Sequence, residues 1–135
     1  MKIAIIIVRV LLGLMFVVFG LNAIHPFLKM GEMPQGLAGD FMKALFVRNY
    51  FKAIGVFQVI GGLCLFLGFV PLGLLFIGPI LVNILLFHIF LQPQGIANGI
   101  IASILALFLF WAYRRSFAGI VKTSKPAPAS APASA

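Results

Sequence analysis

The sequence predicts an all-α integral membrane protein, a four-helix bundle with a short interfacial or re-entrant helix in its first loop. Three observations predict it. Of 135 residues, 63% are hydrophobic and only 9% charged, too apolar for the surface of a water-soluble domain of this size. The mean hydropathy is +1.20. Residues 53–113 form an unbroken run of 61 without Asp, Glu, Lys or Arg, which holds three spans of roughly 20 residues each.

The first span covers residues 3–24, interrupted once by Arg9. At about 1.5 Å per residue it crosses a hydrocarbon core of about 30 Å. A cleavable signal peptide is the competing reading; Arg9 in the apolar centre and the lack of an A-x-A site oppose it. The loop at 25–52 carries both acids of the chain, Glu32 and Asp40, with Lys29, Lys43, Arg48 and Lys52. His25-Pro26 and Met33-Pro34 disfavour helix there, whereas Asp40 is a candidate N-cap for a short helix to about Tyr50. Leu37, Phe41 and Leu45 recur at four-residue spacing, as expected of a helix lying over the bundle.

The long apolar run divides at Val70-Pro71 and at Gln92-Pro93-Gln94-Gly95, because proline and glycine end helices. The remaining spans are then 51–69, 72–91 and 96–113, joined by connections short enough to force antiparallel neighbours. Trp111, Tyr113, Arg114 and Arg115 form an aromatic belt and a charge stop. Residues 1–118 make up the transmembrane domain and 119–135 a flexible Pro/Ala/Ser-rich cytoplasmic tail.

With four spans both termini share one side. That side holds Lys2, Arg114, Arg115, Lys122 and Lys125, and Arg9 can snorkel towards it, against four basic residues in the loop. By the positive-inside rule both termini are expected to be cytoplasmic. The formal charge of +8 is a topology and lipid-headgroup signal, not a nucleic-acid one, since the basic residues flank apolar blocks instead of forming a soluble stripe. Cys64 is the one cysteine, which excludes an internal disulfide and a thiol oxidoreductase that needs a C-x-x-C pair. No metal-ligand spacing, phosphate loop or nucleophile triad is present, so no catalytic residue and no metal site is assigned.

The candidate ligand-binding residues are the polar groups inside the spans: Arg9, Gln58, Asn83 and His88. Counted from the cytoplasmic end, Gln58 and Asn83 both lie about 16 Å deep, so two carboxamides on adjacent helices are expected to bond reciprocally or to share a pocket wall. Gly55, Gly61 and Gly62 lie on the face of Gln58, and Gly13 and Gly20 serve close packing in the first span. Arg9 shares a stripe with Gly13, Phe16 and Gly20; it either snorkels to lipid or meets an anionic ligand or a partner's carboxylate. His88, in the outer half, either donates to a quinone carbonyl or bonds a nearby backbone carbonyl.

Five stretches carry a resemblance: Arg-Val-Leu-Leu-Gly-Leu-Met-Phe-Val-Val-Phe-Gly-Leu-Asn (9–22), Tyr-Phe-Lys-Ala-Ile-Gly-Val-Phe-Gln-Val-Ile-Gly-Gly-Leu (50–63), Val-Pro-Leu-Gly (70–73), Pro-Ile-Leu-Val-Asn-Ile-Leu-Leu-Phe-His (79–88) and Trp-Ala-Tyr-Arg (111–114). Over residues 7–118 the chain resembles the DoxX family. The resemblance implies a small four-helix bacterial membrane protein. The better-described members of that family look like subunits of thiosulfate:quinone oxidoreductase or of membrane-associated oxidoreductase complexes, and most members have no assigned activity. It also implies that the position of Gln58 is often acidic in relatives, so that the neutral side chain here leaves Arg9 without its ion-pair partner. The function expected is that of a non-catalytic accessory subunit of a quinone-linked redox system, with Gln58, Asn83 and His88 lining a groove for a quinone-like cofactor. Membrane lipid and a partner membrane protein or a second copy are its expected partners. The alternatives are a small oligomeric transporter or channel, and a purely structural assembly subunit. A continuous polar row is what conduction requires, and the last span offers only Asn98 and Ser103.

Overall fold

Among the described residues of the computed structural model, 1–122 and 125–126, the chain is helical and contains no strand. The helices are α1 (Lys2–Ile24), α2 (Gly36–Phe46), α3 (Tyr50–Leu67), α4 (Val70–Phe90), α5 (Ile96–Ala112) and α6 (Arg114–Val121). Helix α1, the α2–α3 stretch and α4 are long and apolar enough to cross a membrane, and α5 with α6 adds a fourth such segment if that bent pair is one span.

Glycine sets the central contact. Gly13 and Gly20 of α1 face Gly62 and Gly55 of α3, one heptad apart on each helix and running antiparallel. A Cβ on Gly13 would stand 2.8 Å from the Gly62 carbonyl, and one on Gly62 would stand 2.6 Å from the Gly13 carbonyl. At the other end of the seam, Gly20 and Gly55 would each place a Cβ 2.7 Å from the other's carbonyl. The two backbones touch, as small residues allow between apolar helices. Gly61, on the next face of α3, does the same for α4, where Gly73 and Ile77 pack against it. Around these seams Leu12, Phe16, Leu65, Leu74, Ile77 and Leu109 close the core.

The connections depart from the sequence expectation in ways that local chemistry explains. Helix α3 ends at Leu67, not 69, because Gly68 takes a left-handed conformation (φ +102°) and donates its N–H to the Cys64 and Leu65 carbonyls. Helix α4 then begins at Val70 with Pro71 inside its first turn, where a missing N–H costs nothing, instead of starting at 72. Asp40 does not cap α2. The helix starts four residues earlier at Gly36, and Asp40 sits within it, 3.6 Å from Lys43 on an exposed face. Leu37 is also exposed, and the buried side of α2 is formed by Ala38 and Gly39. Arg48 and Asn49, both at positive φ, separate α2 from α3.

The C-terminal end differs most. Residues 114–121 form α6, turned 79° away from α5, so the tail expected from 119 starts as helix. Residues 123–124 and 127–135 of that tail lie outside the described residues. Phe117 of α6 is buried and packs against Phe110 at 4.8 Å. Arg114 donates from Nη1 to the Trp111 carbonyl at 2.8 Å and lies 4.9 Å from the Trp111 ring centroid, pinning the bend.

Candidate functional site

The four candidate residues do not share one pocket. Gln58 is buried, with its Cβ 2.9 Å from where a Cβ on Gly20 would lie, so it occupies the α1–α3 seam. Asn83 is exposed on the opposite side of α4. The buried residues of α4 are Val70, Gly73, Leu74, Ile77 and Leu81. Asn83 follows Leu81 by two positions, about 200° around a helix that turns roughly 100° per residue. The level is wrong as well, since α4 meets α3 through Gly73 against Gly61 and Phe76 against Phe57, which leaves Asn83 about 8 Å nearer the loop end than Gln58. No hydrogen bond joins the two carboxamides among the described residues, and the expected reciprocal pair is not formed.

Arg9 lies at the opposite end from the loop. Its Nη1 is 3.2 Å from where a Cβ on Gly68 would be, and its Nε is buried with no hydrogen-bond partner among the described residues. In the α1–α3 register Gln58 is level with Val17, so Arg9 stands about 12 Å below it, with its head directed away. The ion pair implied by an acidic residue at position 58 is therefore outside the reach of Arg9 as it stands. The side chain extends towards the terminal end, with its Nη1 against the Gly68 turn.

His88 takes the local role. Its Nδ1 is 2.9 Å from the Gln92 carbonyl, and its ring lies under the turn at Gly95. A carbonyl only accepts, so Nδ1 carries the proton and, in the neutral ring, Nε2 is left as an acceptor. That arrangement holds the C-terminal turn of α4 in place and offers no donor to a quinone carbonyl. His88 lines neither of the two clefts described next.

Those clefts run along the α2–α4 side and meet at Leu91. One, of about 340 Å³, opens at the loop end between Pro34, Gln35, Ala38, Gln92, Pro93 and Gln94. The second, of about 300 Å³, continues beneath α2 between Phe41, Asn83, Leu86, Phe87 and Phe90. Phe41 stacks on Phe87 at 5.7 Å and so joins the two walls. A mouth of three glutamines leads into an aromatic trough with one carboxamide. Ligand sites in general occupy about 300–1,000 Å³ with few polar groups among apolar walls. Of the four candidates only Asn83 belongs to this groove.

Sequence reasoning missed the mouth and the anchor of the loop. Gln92 and Gln94 read as turn residues, and only their return to the Pro34-Gln35 corner of the loop gives them a common face. Asn22 is buried, and its Oδ1 accepts the N–H groups of Phe27 at 2.9 Å and Leu28 at 2.7 Å, tying the loop to the end of α1. An Asn closing an apolar helix just before His25-Pro26 was the available signal. No group of three His, Cys, Asp or Glu that could hold a metal occurs among the described residues. No family model matches the chain, and neither does any curated protein or solved structure.

Proposed function

We propose that the chain is a non-catalytic subunit of a bacterial inner membrane, with both termini in the cytoplasm, that holds a quinone-like amphiphile for a redox system it accompanies. The observation that carries this reading is the pair of open clefts along α2 and α4 that adjoin at Leu91. Their glutamine mouth suits a polar ring, and their phenylalanine trough suits an isoprenoid chain. Amide N–H donors of Gln35, Gln92 and Gln94 suit quinone carbonyls, a role that His88 with its committed Nδ1 does not fill. The long apolar helices support the membrane placement, and the basic residues around the two termini support its direction. The link to a redox complex rests on the resemblance to the DoxX family over the five stretches quoted above. Conduction is the weaker reading, because Asn22 and Gln58 are the buried polar residues among those described, and Asn22 is occupied by the loop.

Purification in native lipid without detergent exchange, followed by extraction and quantification of quinone, tests the groove. Wild type is expected to carry quinone above the proportion in the surrounding lipid. Gln92→Leu at the mouth and Leu86→Trp in the trough should each lower it without changing the melting temperature greatly. Quinone at only the bulk lipid ratio in the wild type would refute the reading.

A further inference from the structure

Helix α6 has an apolar stripe that the protein covers only in part. Phe117 is buried in the bundle, but Ile120 and Val121, three and four positions further on and therefore beside it on the helix surface, are 58% and 86% exposed. With the helix turned 79° from α5, this stripe lies across the end of the bundle instead of continuing along it. Arg114 borders the stripe, about 60° from Phe117 around the helix, whereas Arg115 projects from the opposite face and Lys122 follows the last helical residue. Arg114, Arg115 and Lys122 are exposed, and Arg9 of α1 brings a guanidinium to the same end. Among the described residues no carboxylate answers them, since Glu32 and Asp40 belong to the loop at the opposite end. Arg114 is partly occupied by the Trp111 carbonyl, whereas Arg9 Nε, enclosed in the bundle, has no acceptor among the described residues.

We propose that this end of the molecule is a binding site for anionic phospholipid, with α6 as a fixed interfacial strut. Arg115 and Lys122, on the polar side of α6, attract the anionic headgroup, Arg9 adds a further cation at the same end, and Ile120 and Val121 dip between the first segments of the acyl chains. The combination selects the ligand class. A free phosphate would satisfy the cations and leave Ile120 and Val121 in water, while a zwitterionic lipid would cover the apolar pair and bring its own cation to a basic surface. An anionic amphiphile satisfies both, as it does for basic amphipathic helices in general. Phe117 makes the site rigid, because it fixes α6 in the bundle before any lipid arrives. The inference rests on the membrane placement but not on the quinone groove, which lies at the other end.

The test uses the full-length protein in mild detergent, offered equal amounts of phosphatidylglycerol and phosphatidylcholine of identical chains, with retained lipid read by native mass spectrometry. Wild type should retain phosphatidylglycerol in clear excess. Arg115→Gln with Lys122→Gln should lower that excess by about fivefold for each charge removed, as for basic residues beside a bilayer surface. Lys29→Gln with Lys43→Gln, at the loop end, should leave it unchanged. Both pairs are on exposed positions, and an unchanged melting temperature confirms that each variant is folded. Equal retention of the two lipids by the wild type overturns the inference while leaving the membrane placement standing; retention of neither overturns both. An excess lost in the loop-end variant and kept in the α6 variant would move the site elsewhere and equally refute the proposal.

Discussion

The seam between α1 and α3 makes a sharp prediction, because the same substitution should have opposite signs at two glycines. An alanine at Gly62 would put its Cβ 2.6 Å from the Gly13 carbonyl, with Val17 Cγ2 at 2.8 Å and the Val17 nitrogen at 2.9 Å. Ordinary contact begins at 3.4 Å, so the helices must part by about 0.8 Å, and two of the three obstacles are backbone that cannot rotate away. Overpacking of this kind costs about 1–3 kcal/mol. Against it stands the helix propensity gained in replacing glycine, about 1 kcal/mol. The net expectation for Gly62→Ala is a loss of up to about 2 kcal/mol. Gly78 of α4 has nothing within 4 Å of its would-be Cβ, so only the propensity term remains and Gly78→Ala should be neutral or stabilising. Unfolding in mixed micelles of rising sodium dodecyl sulfate content, followed by circular dichroism and by the fluorescence of Trp111, the one tryptophan, measures both. Gly13→Ala combined with Gly62→Ala adds a second criterion. Once the helices have separated to admit one methyl the other enters at little further cost, so the double variant should be less destabilised than the sum, by at least about 0.5 kcal/mol. A Gly62→Ala protein as stable as Gly78→Ala would show that the backbones do not touch as described.

Three further outcomes follow from the same geometry. Gln58→Leu and Asn83→Leu should add within about 0.5 kcal/mol in the same unfolding assay, since Gln58 lies in the α1–α3 seam and Asn83 on the exposed side of α4; a coupling of 1 kcal/mol or more would mean that they meet. His88→Ala should cost about 0.5–1.5 kcal/mol by removing the bond to the Gln92 carbonyl, while extracted quinone stays at the wild-type level; loss of quinone with unchanged stability would restore His88 as a ligand. Asn22→Leu should strand the N–H groups of Phe27 and Leu28, costing about 1–3 kcal/mol and raising hydrogen exchange at those two amides, whereas Asn22→Asp keeps the acceptor; exchange that does not respond to Asn22→Leu would count against the anchor.

The long apolar helices α1, α3, α4 and α5 were legible in the sequence because apolar length and the absence of charge depend on composition alone, whereas α2 lies four residues earlier than expected and α6 was not foreseen. The predicted spans 3–24 and 96–113 differ from α1 and α5 by a single residue at an end. The glycine seams were legible for a related reason. Gly13 with Gly20 and Gly55 with Gly62 repeat at seven residues, and a repeat on one face is visible before the partner is known. Depth along a span makes Gln58 and Asn83 level only if α4 starts at 72, and depth carries no information on rotation about the helix axis. Pro71 is instead a first-turn residue, and the helices are offset by their glycine contacts. The rotation was available in principle, since Gly73, Leu74, Ile77 and Leu81 already define a face that excludes position 83.

What the sequence could not supply is the way charge and hydrogen-bonding capacity are divided between the two ends of the bundle. At the loop end several polar side chains are taken up by the chain itself. Asn22 holds the loop, His88 holds the last turn of α4 and Asp40 faces Lys43, while the three glutamines line the mouth beside loop charges such as Lys29 and Glu32 that have no side-chain partner among the described residues. At the terminal end Arg9, Arg115 and Lys122 have no carboxylate partner among the described residues, and α6, which carries Arg115 and ends just before Lys122, leaves Ile120 and Val121 exposed. Each end therefore points to a different class of amphiphile, an uncharged ring with a long tail at one and an anionic headgroup at the other. The α1–α3 glycine seam lies between them and keeps the two sites at a fixed distance. A change in one should leave the other intact. Loss of quinone in the Arg115→Gln and Lys122→Gln variant, or loss of phosphatidylglycerol in Leu86→Trp, would mean that the two ends are coupled through the seam rather than separated by it.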